Sequence, residues 1–297
     1  MTDKFDLFKT DQQNNEQGKL SAQRDLEIGR QIQASFLPKK LPQPAGWEIR
    51  AQFEAARQVA GDFYDAFSIS GGKRIGLVVG DICDKGVGAA LFMALFRSLI
   101  RAFAEQHYSL GWMDVLSGDA ASGEHGDSVA RRRNMLSTGT TALKNAIDLT
   151  NAYIYRNHGD TSMFATIFFG VLDPTNGSLV YINGGHVPPL VIGAQGIKAR
   201  LEPTGPAVGL LPDLKFGIEQ VDLDPGDTLL VYTDGVTDAL SPKDEFFSEE
   251  RLFSLVEQPS RSAEDLLRSI QINLHNHIAG ADQFDDITLL AARRNFP

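Results

Sequence analysis

Four short acidic segments lie beside apolar runs, far apart along the chain. Two are in its first third, Gly61-Asp62-Phe63-Tyr64-Asp65 and Gly80-Asp81-Ile82-Cys83-Asp84, and two are in its last third, Thr233-Asp234-Gly235 and Asp285-Asp286-Ile287-Thr288. Apolar residues precede the second and third segments and follow the fourth, so three of them fit the mouths of buried strands. Carboxylates gathered there are the ligands that hard cations prefer, so Mg²⁺ or Mn²⁺ is expected.

A counter-charge is needed where several carboxylates meet. Burial and mutual repulsion would raise their pKa values and destabilise the fold, whereas two divalent cations would neutralise about four carboxylates. Glycines flank Asp62, Asp81 and Asp234, and a residue without a side chain allows a sharp turn and a close approach of backbone to an ion. The sequence therefore predicts that these acids act together with metal.

Five ordered phrases carry a family resemblance. They resemble the bacterial sporulation and general-stress branch of the metal-dependent, PPM-type serine/threonine protein phosphatases, and the resemblance extends from about Leu26 to Arg293. It implies a phosphoserine/phosphothreonine protein phosphatase in which water, activated by two Mn²⁺ or Mg²⁺ ions, attacks phosphorus. The phrases are residues 61–65, 80–93, 183–190, 232–239 and 285–288.

The resemblance also implies roles for single residues. Asp81 would bridge the two ions, and Asp62 would complete one of them beside the carbonyl of Ile82. Asp234 and Asp285 would complete the other ion. Asp286 is the alternative to Asp285, or it supports a ligand by hydrogen bonding. For the remaining motif acids, Asp65, Asp84 and Asp238, a turn or cap is the favoured interpretation, with hydrogen bonding to the metal's waters as the alternative.

Two further residues are candidates for contact with a phosphate or a leaving group. Arg57 lies five residues before Asp62, where larger eukaryotic phosphatases of this fold carry a phosphate-binding arginine; the alternative is a surface arginine. His186 lies in a turn between predicted strands, as a general acid or as a structural, hydrogen-bonded histidine. Cys83 lies between acidic residues that raise a thiol pKa, which argues against a nucleophile.

Composition excludes several classes of protein. The net charge of −10 over 297 residues argues against nucleic acid as a general partner. No uninterrupted apolar run approaches the roughly 18 to 20 residues of a membrane span, and no signal peptide opens the chain. A cytoplasmic protein without membrane insertion is expected. The single cysteine excludes an internal disulfide framework.

The first part of the chain differs from the rest. Residues 1–44 are predicted to form a disordered lead and an amphipathic helix from Leu20 to Leu37, which Pro38 ends. This helix could pack on its own domain, or it could join two copies or receive an upstream regulator; the resemblance favours regulation. Residues 45–297 are predicted to form the phosphatase domain, with a loop insertion at 108–138.

Runs of strands separated by helix pairs indicate an α+β domain. The resemblance implies a four-layer α-β-β-α sandwich, in which two antiparallel sheets are flanked by helix pairs, with an N-terminal helical extension. Strands are predicted at 47–53, 63–69, 74–82, 164–172, 179–182, 190–192, 216–221, 228–232 and 287–293, and helices at 86–104, 140–155, 248–257 and 262–278.

Three functions are compatible with these residues. The resemblance implies that the substrate is a phosphorylated anti-sigma-factor antagonist of the STAS type, in a partner-switching pathway. A catalytically silent interaction module is a rival, although such a module has no reason to retain the charge repulsion of the acids. A phosphatase of another small phosphoester is the third possibility. Because no glycine-rich phosphate loop with a lysine is present, a nucleotide is a poorer fit.

Overall fold

The computed structural model describes residues 24–117 and 128–296, and it describes side-chain surroundings outside 106–138. The predicted disordered lead and residues 20–23 lie outside the described residues. Helices are α1 (24–36), α2 (Val87–Ser117), α3 (Ser128–His158), α4 (Ser248–Val256) and α5 (Ala263–Ile278). Strands are β1 (Trp47–Glu54), β2 (Phe63–Ile69), β3 (Arg74–Ile82), β4 (Ala165–Leu172), β5 (Ser178–Gly184), β6 (Leu190–Gly193), β7 (Gly196–Arg200), β8 (Glu219–Asp222), β9 (Thr228–Tyr232) and β10 (Ile287–Arg294).

The strands form two antiparallel sheets of five. One sheet has the order β1-β10-β9-β6-β7, and the other has the order β2-β3-β4-β5-β8. Helices α2 and α3 pack on the second sheet, and α4 and α5 pack on the first. The predicted α+β sandwich of four layers is therefore confirmed, and α1 adds the helix at its N-terminal side.

Alternation along the strands explains why both sheets are buried on both faces. In β3, Val78 packs under α2 and α3, whereas Leu77 and Val79 pack between the sheets. In β10, Leu289 packs under α4 and α5, and Leu290 packs between the sheets. Period-two alternation of apolar side chains thus supplies two of the three cores at once.

The predicted loop insertion at 108–138 is wrong at both ends. Helix α2 continues to Ser117 and α3 begins at Ser128, and residues 118–127 lie outside the described residues. No proline occurs in 105–117 or in 128–138, so nothing in either part removes a helical hydrogen bond, and an isolated glycine only weakens a helix. The polar composition indicated a loop, but the two helices pack against each other.

Two of the four edge strands, β7 and β8, were the least accurate part of the strand prediction. Strand β7 was not predicted, because Lys198 and Arg200 interrupt its apolar pattern on the exposed side. Strand β8 begins at Glu219, not at the predicted 216, and Phe216 is a buried loop residue instead. Strands β7 and β8 expose much of their length to solvent and therefore carry a weak apolar signal.

One segment of α2 deserves comparison with a membrane span. Val87–Glu105 is long and apolar enough to cross a bilayer by length and composition alone. Its inner face, however, contributes Ala89, Met93 and Phe96 to the core against the second sheet. This packing is typical of a core helix.

Helix α1 packs on its own domain at one end. The Gln33 side chain donates to the Ala60 carbonyl at 2.6 Å and accepts from the Ala60 amide at 2.9 Å. Leu37, just after the helix, is buried in the core under α2. Ile28 and Ile32 remain about half exposed, so part of the apolar face of α1 has no cover within the described residues.

Candidate metal centre

The predicted acids meet at one end of the two sheets. Asp62 immediately precedes β2 and Asp81 lies near the end of β3, and Phe63 pairs with Gly80 across these two strands. Asp234 follows β9, and Asp285 and Asp286 precede β10. Strands β9 and β10 pair antiparallel, with Leu289 opposite Tyr232. Each sheet therefore contributes acids to the same edge. We refer to them as the aspartate cluster: Asp62, Asp81, Asp234, Asp285 and Asp286.

Asp62 connects the two sheets. Its Oδ2 atom accepts hydrogen bonds from the hydroxyls of Thr233, at 2.7 Å, and Thr288, at 2.6 Å. The Thr288 amide in turn donates to the Thr233 hydroxyl at 3.0 Å. Burial, followed by the charges of Asp81 and Asp286, raises the pKa of Asp62 well above its ordinary value, and the two hydroxyls oppose this shift. Asp62 is thus held in one orientation by residues of the opposite sheet.

Asp286 is engaged by the backbone of the loop before β2. One carboxylate oxygen accepts from the Ala56 amide at 2.8 Å, and the other accepts from the Gly61 amide at 2.7 Å and the Asp62 amide at 3.4 Å. Its role here is to hold the loop that carries Asp62. Asp285 is more open: one oxygen accepts from the Asp286 amide at 2.9 Å, and the other pairs with the Lys85 ammonium at 2.9 Å.

Two glycines allow the segments to approach each other. A Cβ at position 61 would lie 3.2 Å from the Ile82 carbonyl oxygen, and a Cβ at position 235 would overlap the Asp286 backbone. The first approach brings Asp62 beside the β3 end, and the second brings Asp234 beside Asp285 and Asp286. Any side chain at position 235 would force these two segments apart.

The aspartate cluster carries strong mutual repulsion. Burial, followed by the charges of Asp234, Asp285 and Asp286, raises the pKa of Asp81 to about 7. Burial and then Asp285 raise the pKa of Asp234. Carboxylates disposed in this way are hard oxygen donors with an excess of negative charge, which fits a site for divalent cations.

The aspartate cluster fits a divalent cation in the chemistry of its oxygen donors and in its charge. Its side chains, however, contact other groups of the protein. Within 24–105 and 139–296, no three His, Cys, Asp or Glu side chains converge as they would around an ion. Asp62 faces threonine hydroxyls and Asp285 faces Lys85, so an ion would have to replace or share these contacts. The Ile82 carbonyl, the backbone oxygen that the family resemblance assigns to the site, lies against Gly61 beside Asp62.

Comparison with known proteins places the chain in a family. Residues 71–295 match the family model described as Stage II sporulation protein E (SpoIIE). The chain belongs to the SpoIIE family. Among the aspartate cluster, Asp81, Asp234, Asp285 and Asp286 lie inside the matched SpoIIE range.

Two curated relatives and one solved structure extend this SpoIIE assignment. Protein IcfG from Synechocystis is 47% identical over 91% of the chain, which spans 42% of that protein, less than half its length. Phosphoserine phosphatase RsbU from Bacillus subtilis is 23% identical over 91% of the chain and 70% of RsbU. The SiaA-PP2C domain of Pseudomonas aeruginosa superimposes with a TM-score of 0.68 at 17% identity, over 93% of the chain and 98% of that domain. This last similarity establishes the shared fold.

Arg57 lies beside the aspartate cluster of this SpoIIE-family chain. It is exposed and directly follows Ala56, whose amide holds Asp286. Its guanidinium makes no hydrogen bond or ion pair with the described residues. The loop that carries it is fixed to the cluster through the Ala56 amide. Both interpretations of Arg57, a phosphate contact or a surface arginine, are compatible with this position.

His186 lies in the interior, behind the cluster. Its ring is buried, and Nδ1 lies 2.9 Å from the hydroxyl of Thr166, the residue that pairs with Asp81 across β3 and β4. The His186 amide donates to the Asn183 side chain at 2.8 Å. Nε2 makes no hydrogen bond of normal geometry, although the nearby Tyr232 carbonyl favours the protonated ring. These contacts favour the structural interpretation of His186.

Burial of His186 predicts a pH-dependent stability. Desolvation lowers the pKa of His186 from 6.5 to about 4, so the folded state binds its proton less readily than the unfolded state does. Stability from this residue is present above pH 6.5 and is lost as the pH falls towards 4, by on the order of 3 kcal/mol. We expect urea unfolding of His186→Gln to show a shallower loss of stability than wild type between pH 6.5 and 4.5. Parallel profiles for the two proteins would contradict this.

The structure adds residues to which the sequence assigned no role. Thr233 and Thr288 both lie inside the quoted motifs, and their position next to the acids was the available signal.

Asp65 was expected in a turn or cap, but it lies within β2 and pairs with Arg97 at 2.9 Å and Arg101 at 3.2 Å of α2. That expectation was wrong, because the buried carboxylate requires cationic partners from the covering helix.

Proposed function

We propose that this chain is a metal-dependent phosphatase of phosphoserine or phosphothreonine in a protein. The observation that carries the proposal is the meeting of acids from both sheets at one edge, where burial, followed by mutual repulsion, raises the pKa of Asp81 to about 7. Membership of the SpoIIE family and similarity to a relative named phosphoserine phosphatase support it. Such a cluster is costly to maintain without cations.

The residues of the cluster would divide the work. Asp62, Asp81, Asp234 and Asp285 would hold two Mn²⁺ or Mg²⁺ ions, together with the carbonyl of Ile82. When bound, the ions supply positive charge against the phosphate and an activated water as nucleophile. Thr233 and Thr288 orient Asp62, and Asp286 holds the loop that carries both Asp62 and the exposed Arg57. These hydrogen bonds of Thr233, Thr288 and Asp286 lie within the chain itself, and they would position the ligands before an ion binds.

The test is hydrolysis of p-nitrophenyl phosphate and of a phosphoserine peptide in EDTA, Mg²⁺ or Mn²⁺. Turnover that requires a divalent cation and is abolished by EDTA is the expected result. No turnover on any phosphoester and no Mn²⁺ binding by calorimetry at millimolar concentration would favour the silent interaction module, whereas Mn²⁺ binding without turnover would indicate an enzyme that requires its regulator. Turnover of small phosphoesters alone would favour the third candidate, a phosphatase of another small substrate.

The proposed protein substrate is a phosphorylated anti-sigma-factor antagonist of the STAS type. Family membership supports this choice. A folded phosphoprotein offers contacts beyond the phosphate, and remote binding energy raises kcat/KM. We expect kcat/KM on such a phosphoprotein to exceed that on a peptide with the same phosphoserine sequence by at least about tenfold. Equal kcat/KM values on the phosphoprotein and on the peptide would show that the folded domain does not contribute to recognition.

Arg57 is proposed to grip the phosphate of the substrate. A guanidinium can bind two phosphate oxygens, and its loss in an exposed position is expected to lower kcat/KM by about tenfold. The prediction is that Arg57→Ala loses this factor with phosphopeptide while its Mn²⁺ affinity, measured by calorimetry, stays at the wild-type value. Arg57→Lys keeps the charge without the fork and should lie between. Wild-type kinetics in Arg57→Ala would identify a surface arginine.

Helix α1 is proposed as the contact for a second copy or an upstream regulator. Ile28 and Ile32 are 48% and 56% exposed, and Val87 and Leu91 of the adjacent α2 are also exposed. Since α2 begins just after the Asp81 loop, a partner on this face could act on the cluster. We expect Ile32→Asp to change activity severalfold without changing Mn²⁺ affinity, with Arg30→Asp on the exposed side as control. Unchanged kinetics in Ile32→Asp would exclude α1 from regulation.

A further inference from the structure

Lys85 is held at the cluster by the turn between β3 and α2. Asp84 has a φ of 105° and Gly86 has a φ of 88°, so a residue with positive φ lies on each side of Lys85. The side chain of Asp84 accepts from the Lys85 amide at 2.7 Å. A non-glycine residue in this conformation is unfavourable and persists only where the surroundings impose it. The turn therefore fixes the direction in which Lys85 leaves the backbone.

The ammonium of Lys85 makes three contacts with the segment before β10. Nζ donates to the Phe284 carbonyl at 2.9 Å and pairs with Asp285 Oδ2 at 2.9 Å, and it lies 4.3 Å from the centre of the Phe284 ring. The side chains of Lys85 and Asp285 are 32% and 28% exposed. Both side chains are thus partly withdrawn from solvent, and an ion pair in such a position is screened less than a fully exposed one.

No other lysine or arginine of the described residues makes an ion pair with the aspartate cluster. Asp62 is bound by hydroxyls and Asp286 by backbone amides, which carry no net charge. The charge of Lys85 also acts on Asp234, the second acid on this side of the cluster. A single positive charge therefore faces the pair of acids that the first sheet contributes as candidate ligands.

We propose that Lys85 is a built-in counter-ion of Asp285, and that a divalent cation must displace its ammonium in order to bind there. The inference rests on the proposed function, since it takes Asp285 to be a ligand. An ammonium offers one charge and hydrogen bonds, whereas a divalent cation offers two charges and binds several oxygens at once. The cation displaces the ammonium from Asp285 once its concentration is high enough, and the ion pair with Lys85 raises the concentration that is required.

The length of the lysine stem allows the exchange. One ammonium hydrogen can stay on the Phe284 carbonyl while another leaves Asp285, because an ammonium has three donors. The cation–π contact with Phe284 gives the displaced ammonium a second place to remain. Displacement of Lys85 therefore need not unfold the turn, and the competition is confined to the carboxylate of Asp285.

The experiment measures Mn²⁺ binding by calorimetry without substrate, in the full chain. Lys85→Met removes the charge and keeps most of the stem, and Lys85→Arg keeps the charge. Lys198→Met is the matched control, because Lys198 pairs with Asp227 at 2.8 Å at the start of β9, the opposite end of the sheet from Asp234. We expect Lys85→Met to bind Mn²⁺ about three- to fivefold more tightly than wild type, the size of one partly exposed ion pair.

Lys85→Arg and Lys198→Met should retain wild-type affinity. A second readout is the rise in Tm on adding Mn²⁺, which should be larger in Lys85→Met than in wild type. Unchanged or weaker binding in Lys85→Met, with wild type binding normally, would overturn the counter-ion and indicate a lysine that positions Asp285. Absence of Mn²⁺ binding in every protein would overturn the proposed function and the counter-ion with it.

Discussion

Asp81→Asn is expected to lose metal-dependent hydrolysis and, without metal, to be more stable than wild type. Turnover of a phosphoserine peptide in Mn²⁺ should fall by about a thousandfold or more, since a ligand shared by both ions is removed. The second effect has the opposite sign because Asp81 is disfavoured as an anion: its folded pKa of about 7 lies above its ordinary 3.8. Its contribution to stability declines as the pH rises between these values and stays low above pH 7.

At pH 8 in EDTA, the uncharged asparagine removes repulsion from Asp234, Asp285 and Asp286. We expect a gain of about 1–2 kcal/mol, or a rise of a few degrees in Tm. Mn²⁺ should then stabilise wild type and leave the variant unchanged, because only an occupied site gains free energy from the ion.

The measurement combines peptide hydrolysis with thermal unfolding in EDTA and in Mn²⁺. Asp222→Asn is the control, an exposed acid at the end of β8 remote from the cluster, and it should match wild type in both assays. A loss of activity accompanied by a lower Tm in EDTA would indicate a structural role for Asp81. Full activity in Asp81→Asn would exclude it as a bridging ligand.

The strands could be predicted because each core strand carries its own alternating signal. The bounds of the central strands β3 and β9 agree with the prediction, since their apolar residues are buried on both faces, as Val78 and Val79 are. The acids could be found for the same reason, because they stand where those apolar runs stop. Local patterns of this kind do not depend on the rest of the fold.

The parts that could not be predicted depend on contacts distant in sequence. That Asp286 accepts from the amides of Ala56 and Gly61 follows only from how β10 meets the loop before β2. The hydroxyls on Asp62 likewise come from Thr233 and Thr288, more than 170 positions away. Sequence identifies the acids, whereas the three-dimensional fold separates the acid whose two oxygens both hold the backbone, Asp286, from the others.

Asp285→Asn and Asp286→Ala should therefore have different effects, although the residues are adjacent. Asp286→Ala leaves the amides of Ala56, Gly61 and Asp62 without their acceptor. Unsatisfied buried donors and lost charged hydrogen bonds cost about 3 kcal/mol or more. We expect a fall of roughly 6 to 12 °C in Tm in EDTA, and a loss of activity that follows from the displaced Asp62.

Asp285→Asn keeps the shape of the side chain and loses one carboxylate charge. Its partly exposed ion pair with Lys85 contributes little to stability, about 1 kcal/mol at most, so Tm in EDTA should stay close to wild type. Mn²⁺ affinity, however, should fall by at least about tenfold, because a charged ligand is replaced by a neutral one. Calorimetry and thermal unfolding of both variants give the comparison.

The opposite pattern would assign the ligand to Asp286. In that case Asp286→Asn, which keeps one acceptor oxygen for the loop amides, would lose Mn²⁺ binding while Asp285→Asn retained it. The hydrogen bonds argue for the first pattern, because both oxygens of Asp286 already receive backbone donors, whereas Asp285 is bound by one amide and by an ammonium that an ion can displace. The choice between two adjacent aspartates thus depends on which one the backbone leaves available to a cation.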